Sequence, residues 1–266
     1  MKPAQGPRSG RAPGEPSRGV ALGYLAMLPL LLAYEAVERG GLRNVGEAIA
    51  TWPLGAFGGS ARLARVLALL ALAVLAIVAL ARSGLGREGP GLLPRVWRIL
   101  LEGGTAALLL GPALLLLLDL LGGRGFASEL RFPATRAPTL GRSAFLAGGA
   151  AWEEIVFRIG VQSLLFLLAG RFLAFLTGSP RLARAGAEIL SIGLSSAAFA
   201  ASHLASFTRA LGPGGEPFVA SVFTWRLLAG ILLGALFRWR GPGVAAWAHA
   251  LFDLCLSIGA GPDVFL

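Results

Sequence analysis

The stretch 150-AAWEEIVFRIG-160 decides how this chain is read. It lies inside an apolar run, 143–169, that is long enough to cross a bilayer, since a transmembrane helix needs about 20 mostly apolar residues. Yet the middle of the run carries Glu153, Glu154 and Arg158. Each ionisable group at mid-membrane costs about 2.5–3.5 kcal/mol on insertion scales. Part of that cost is offset locally, because Glu154 and Arg158 are spaced i, i+4 with the acid N-terminal to the base. Glu153 points about 100° away along the helix and is left to face something else. A buried structural pair with an accessory acid is one reading, and an ion- or proton-coupled transporter is another.

The rest of the sequence makes the membrane setting general. Of 266 residues, 55% are hydrophobic and only 14% charged, against about 25% charged in soluble domains. The fold class expected is all-α, a polytopic helical membrane protein of seven to eight transmembrane helices. Spans are expected near 20–37, 63–81, 99–121, 143–169, 187–208, 218–237 and 243–262, with an eighth if 159–178 forms its own helix. The Pro-, Gly- and Arg-rich residues 1–19 read as a disordered tail. Residues 20–142 then form N-terminal helices, and 143–262 form the core that holds the polar motifs.

The net charge of +10 comes almost wholly from arginine, Lys2 being the single lysine. The arginines flank apolar runs, so membrane topology accounts for them and nucleic acid is not expected as a partner. Arg8, Arg11 and Arg18, then Arg82, Arg87, Arg95 and Arg98, favour a cytoplasmic N-terminus. Arg124, Arg131, Arg136 and Arg142 in the loop 122–142 run against that orientation. The lone Cys255 excludes a disulfide framework and any Cys-based zinc pattern. The Ala/Leu/Gly/Arg bias is that of a GC-rich genome, and the expected location is a bacterial inner membrane.

Two further signals involve both histidines of the chain. In 195-SSAAFAASHLASF-207, His203 is placed within an apolar helix with Phe199 one turn before it, among small residues that allow helices to approach closely. An interhelical hydrogen bond is the plain reading of such a histidine. In 244-VAAWAHALFDLCL-256, His249 and Asp253 share one face at i, i+4. They either bond to each other or hold a metal or a water between them. Together the three segments supply the groups of a metal or acid–base site. These are ligands for a metal-activated water, a carboxylate to take its proton and donors for an oxyanion.

The order EExxxR (Glu153, Glu154, Arg158), FxxxH (Phe199, His203) and HxxxD (His249, Asp253) resembles the motifs of the CPBP intramembrane proteases. That family includes the CaaX prenyl proteases and bacteriocin-processing and immunity-type members. The stretch GILLGALFRWRGPGVAAWAHALFDL is similar to the family's last helix pair, and the likeness spans about 143–262. The resemblance implies peptide-bond hydrolysis within the membrane, on a protein or peptide with a membrane-associated or C-terminal tail. It implies that Glu153 and His203 activate the water and that His249 and Asp253 meet the oxyanion or complete a metal site. Glu154, tied to Arg158, would fix the geometry. The family often has Asn at the position of Asp253, with Asp as an accepted alternative. A divalent metal, zinc, held by Glu153, His203 and His249 is the expected cofactor, beside a metal-free, glutamate-driven alternative. Bacteria generally lack protein prenylation, so a sorting tail, a leader peptide or a membrane-anchored regulator suits such a source better than a CaaX protein. The competing class is a non-enzymatic transporter or immunity protein with a structural polar core. Internal repeats would support a transporter, and the sequence has none.

Overall fold

A computed structural model of the chain describes residues 15–37, 43–83, 91–122, 139–209 and 215–258. Residues 1–14 of the expected tail lie outside these, as do Arg124, Arg131 and Arg136 and the end of the last expected span. The described residues are helical with no β-strand, apart from an isolated bridge between Leu204 and Glu216. Helices α1 (Glu15–Ala36), α3 (Ala61–Arg82) and α4 (Leu92–Gly122) precede the motif segment. A short α2 (Val45–Thr51) and a 3-10 segment (Trp52–Ser60) link the first two. Helix α1 takes in the last residues assigned to the tail. Next come α5 (Leu140–Glu154), a π-helical stretch (Ile155–Gln162) and α6 (Ser163–Thr177), then α7 (Pro180–Ala201) and α8 (Ala205–Thr208). Helices α9 (Ala220–Arg240) and α10 (Pro242–Ser257) close the described part.

Five of these segments are long and apolar enough to cross a membrane: Gly19–Ala36, Ala61–Arg82, Leu92–Leu121, Leu140–Thr177 and Ala220–Arg240. The chain is therefore an all-α polytopic membrane protein. The eighth span considered at 159–178 does not form separately, because the helix runs on from Leu140 to Thr177. Helix α7 carries Arg181, Arg184 and Glu188 in its first half, and α10 has only 16 residues, about 24 Å at 1.5 Å per residue. The first is too charged at its start and the second too short to count with those five.

Helix α10 packs against α1, α4, α5 and α9, so protein surrounds it. Its Val244, Ala245, Ala246, Ala248, Ala250 and Phe252 are buried. Lipid tails are as apolar as leucine, so helices in a bilayer associate through close packing and interhelical hydrogen bonds. Small residues serve that purpose here. A Cβ on Gly23 of α1 would come within 2.7 Å of the Pro242 ring of α10. Nearby, the Trp247 indole donates to the Ala26 carbonyl at 2.8 Å. The outer helices turn leucines outward instead: Leu67, Leu72, Leu75 and Ile77 of α3 are exposed in the isolated chain, as a lipid-facing surface requires.

Candidate active site

Glu153 and Glu154 close α5, at the point where the backbone widens into the π-helical stretch. Such widening inserts extra backbone into a turn and is common at functional sites. Every residue from Ala147 to Glu154 is buried. The two acids point in different directions. Glu154 Oε2 lies 3.4 Å from Arg158 Nε, and both side chains are buried. Arg158 Nη1 also donates to Ser195 Oγ at 3.2 Å, and its guanidinium lies over the Phe199 ring. Ser195 donates in turn to the Phe157 carbonyl at 2.6 Å, which locks α7 to the π stretch.

Glu153 faces the other way, into a cavity of ≈590 Å³ that it lines together with Asn44, His203, His249, Asp253 and Arg226. Its Oε1 stands 3.8 Å from His203 Nε2. Its Oε2 stands 3.6 Å from His249 Nε2. Asp253 Oδ2 lies 3.6 Å from that same His249 nitrogen. The six ionisable motif residues thus form two joined clusters, with His249 as the joint: its Nδ1 is 2.9 Å from Glu154 Oε1.

His203 is not inside a helix, contrary to the expectation of a span at 187–208. Helix α7 ends at Ala201. The Ser202 hydroxyl donates to the Phe199 carbonyl at 2.7 Å, and His203 Nδ1 reaches the same carbonyl at 2.9 Å. Side chains that bond to nearby backbone compete with the helix ladder, and here the helix stops. A strap then takes over: Glu216 N donates to the His203 carbonyl at 3.0 Å, and Ala205 N to the Glu216 carbonyl at 2.8 Å. Glu216 makes two 2.6 Å bonds to the Arg226 guanidinium. Burial raises the Glu216 pKa, but the Arg226 hydrogen bonds and charge outweigh it and hold the carboxyl below its ordinary 4.5.

Tautomers follow from the partners. A carbonyl only accepts, so His203 Nδ1 carries the proton on the Phe199 side and Nε2 faces the cavity. An ionised Glu154 likewise accepts a hydrogen bond from His249 Nδ1–H, and His249 Nε2 faces Glu153 and Asp253. Two imidazole nitrogens and two carboxylates therefore surround one wet-accessible point. Among the described residues, no group of three or more His, Cys, Asp or Glu side chains is arranged to hold a metal ion. Imidazole nitrogen and carboxylate oxygen are both donor types that zinc accepts, and the separations of 3.6–3.8 Å lie within a few tenths of an ångström of the roughly 3.3 Å between neighbouring ligands of a tetrahedral zinc with bonds of about 2.0–2.1 Å.

Asn44 did not figure among the motif residues, though it donates from Nδ2 to Glu153 Oε1 at 2.7 Å. The sequence did signal its local role: Asn44 with Glu47 three positions on is a helix-start pattern, and Asn44 is the N-cap of α2. Nothing in the spacing links it to a glutamate 109 residues away.

Residues 136–255 match the model of the family described as Rce1-like, type II CAAX prenyl endopeptidase Rce1-like. No curated protein and no solved structure matches the chain. The matched segment contains all seven motif residues, from Glu153 to Asp253, and leaves the N-terminal helices outside. Over that segment the chain is similar to the Rce1-like CAAX prenyl endopeptidases, in agreement with its resemblance to the CPBP intramembrane proteases.

Proposed function

We propose that the chain is an intramembrane endopeptidase that uses Glu153 to activate water against a peptide bond. The observation that carries this reading is the convergence of Glu153 with His203 Nε2 and His249 Nε2 on one cavity, inside the segment similar to a protease family. A water seated between Glu153 and His203 gives one proton to the Glu153 carboxylate, and His203 Nε2 accepts its second hydrogen bond. The resulting hydroxide attacks the scissile carbonyl carbon. His249, protonated on Nε2, donates to the oxyanion, and its Nδ1–H stays on Glu154, which Arg158 holds in place. One such donor is worth about 3–4 kcal/mol of barrier. Asp253 orients His249 from the second side, where the family often has Asn. Collapse of the tetrahedral intermediate breaks the C–N bond, and Glu153 passes its proton to the leaving amine. The balance is one water added, with OH on the new carboxyl and H on the new amine.

All these groups belong to the chain itself. A bound zinc would supply a Lewis acid in such a pocket, and no proposed step depends on one. The substrate is a protein or peptide whose scissile bond reaches the cavity from the membrane, and the proposed setting is the cytoplasmic membrane of a bacterium. The test uses purified protein in micelles with a panel of internally quenched, lipid-anchored peptides with free C-termini. Wild type is expected to cleave at least one, and Glu153→Gln to lose cleavage while staying folded. Cleavage by Glu153→Gln at the wild-type rate would overturn the assignment.

A further inference from the structure

The proposed base has a partner from a distant part of the chain. Oε1 of Glu153 accepts from Asn44 Nδ2 at 2.7 Å, shorter than its distances to either histidine. Asn44 is itself held on three sides, by its side-chain oxygen and by its backbone. Oδ1 accepts from Gly46 N at 2.8 Å and Glu47 N at 3.4 Å, so the amide nitrogen is left to face Glu153. The Asn44 backbone N–H donates to the Tyr34 hydroxyl at 2.9 Å.

The element that carries Asn44 is anchored as firmly. Glu47 is fully buried and pairs with Arg43 at 3.0 Å and Arg65 at 3.4 Å. Arg65 makes two 3.0 Å bonds to Glu35. This buried ionic cluster ties α1, α2 and α3 together and has no part in the proposed chemistry. Glycines bring α2 against α5. A Cβ on Gly46 would lie 2.6 Å from Glu153 N, and one on Gly149 would lie 2.8 Å from Asn44 Nδ2.

We propose that Asn44 is the positioning residue for the Glu153 carboxylate, so that the N-terminal helices complete a site whose motif residues all lie in the matched segment. This rests on the reading of Glu153 as the base. A carboxylate is free to rotate about its terminal bond. Asn44 holds Oε1 on the His203 side, where the attacking water is seated, and Oε2 is thereby presented to the His249 side. The charged and polar groups around Glu153 are His203, His249 and Asp253 from other elements and Glu154 and Arg158 from its own. Of these, none is within direct hydrogen-bonding distance of it, which leaves Asn44 as the group that sets its orientation.

Asn44→Asp separates this role from a structural one, because aspartate caps a helix as well as asparagine does but has no N–H to offer Glu153. Asn44→Thr removes the amide donor without adding charge and still caps, its shorter hydroxyl taking the place of Oδ1 against the helix N–H groups. In the quenched-peptide assay both variants are expected to lower kcat by about 10–100-fold, the scale of a misplaced catalytic group, with KM and the melting midpoint near wild type. The inference is overturned if either folded variant keeps kcat within roughly threefold of wild type while Glu153→Gln is inactive. It is also overturned if kcat falls only in step with KM and melting. Full activity of Glu153→Gln would instead overturn the underlying reading, and this inference with it.

Discussion

Arg158 has no exposed surface, and the carboxylate paired with it is Glu154, whose Oε2 is 3.4 Å from Arg158 Nε. At that separation and an effective dielectric of about 20, the pair attracts by about 5 kcal/mol. Much of this offsets desolvation, so the pair is not a net gain of that size. Removing one partner is another matter, because the remaining charge stays buried: the expected cost is about 3–5 kcal/mol. Arg158→Met should therefore be strongly destabilised, since it also loses the Ser195 bond and the contact with Phe199. Glu154→Gln should be destabilised less, because Gln can still bond His249. The double variant should be more stable than Arg158→Met alone. The assay is SDS titration of micellar protein followed by circular dichroism, read as a double-mutant cycle. A coupling energy of about 3 kcal/mol or more is expected, and one below about 1 kcal/mol would refute the ion-pair reasoning.

Ser195→Ala leaves the Phe157 carbonyl and an Arg158 N–H without their partner, and should cost about 1–3 kcal/mol of stability in the same titration. Gly46→Ala would push a methyl group into the Glu153 backbone, so cleavage should fall by more than that of Gly141→Ala, where a Cβ meets open space. The strap over His203 depends on an ionised Glu216. Its pKa lies below 4.5 in the folded chain, so its contribution is present above about 4.5 and is lost as the pH falls through the lower folded value. Hydrogen exchange at Ala205 and Glu216 amides should therefore speed up in strong acid, and at higher pH in Arg226→Met. Protection unchanged by either perturbation would show that the ion pair does not hold the strap. Elemental analysis and chelator titration of active protein separate the zinc reading from the metal-free one: the glutamate-driven mechanism predicts cleavage that survives chelation, and stoichiometric zinc required for cleavage would establish the metal reading instead.

The membrane class was legible because hydropathy is a property of each segment alone. So was the split between the two acids, since 100° per residue turns Glu153 away from the Glu154–Arg158 face. Placement relative to other helices was less legible. Helix α10 reads as one more span, yet it packs against four other helices, which follows from its Ala-rich surface on every side. His203 reads as a helical residue because 187–208 is apolar throughout. Its removal from the helix depends on Ser202 and its own ring capturing the Phe199 carbonyl, a choice that only the strap at Glu216 makes stable. Asn44 is the clearest case: the N-cap is a local signal, but its second bond, to Glu153, exists only once α2 packs on α5 through Gly46 and Gly149.

Direct attack of a water activated by Glu153 leaves a chemical signature. Purified wild-type protein is incubated in micelles with a cleavable lipid-anchored peptide in water enriched in oxygen-18, with enzyme in excess for a single turnover. The account predicts one heavy oxygen in the carboxyl group of the N-terminal product, no covalent peptide–protein adduct at any time, and no product from Glu153→Gln. A trapped acyl adduct on the wild-type chain, or labelled product from Glu153→Gln at the wild-type rate, would contradict it.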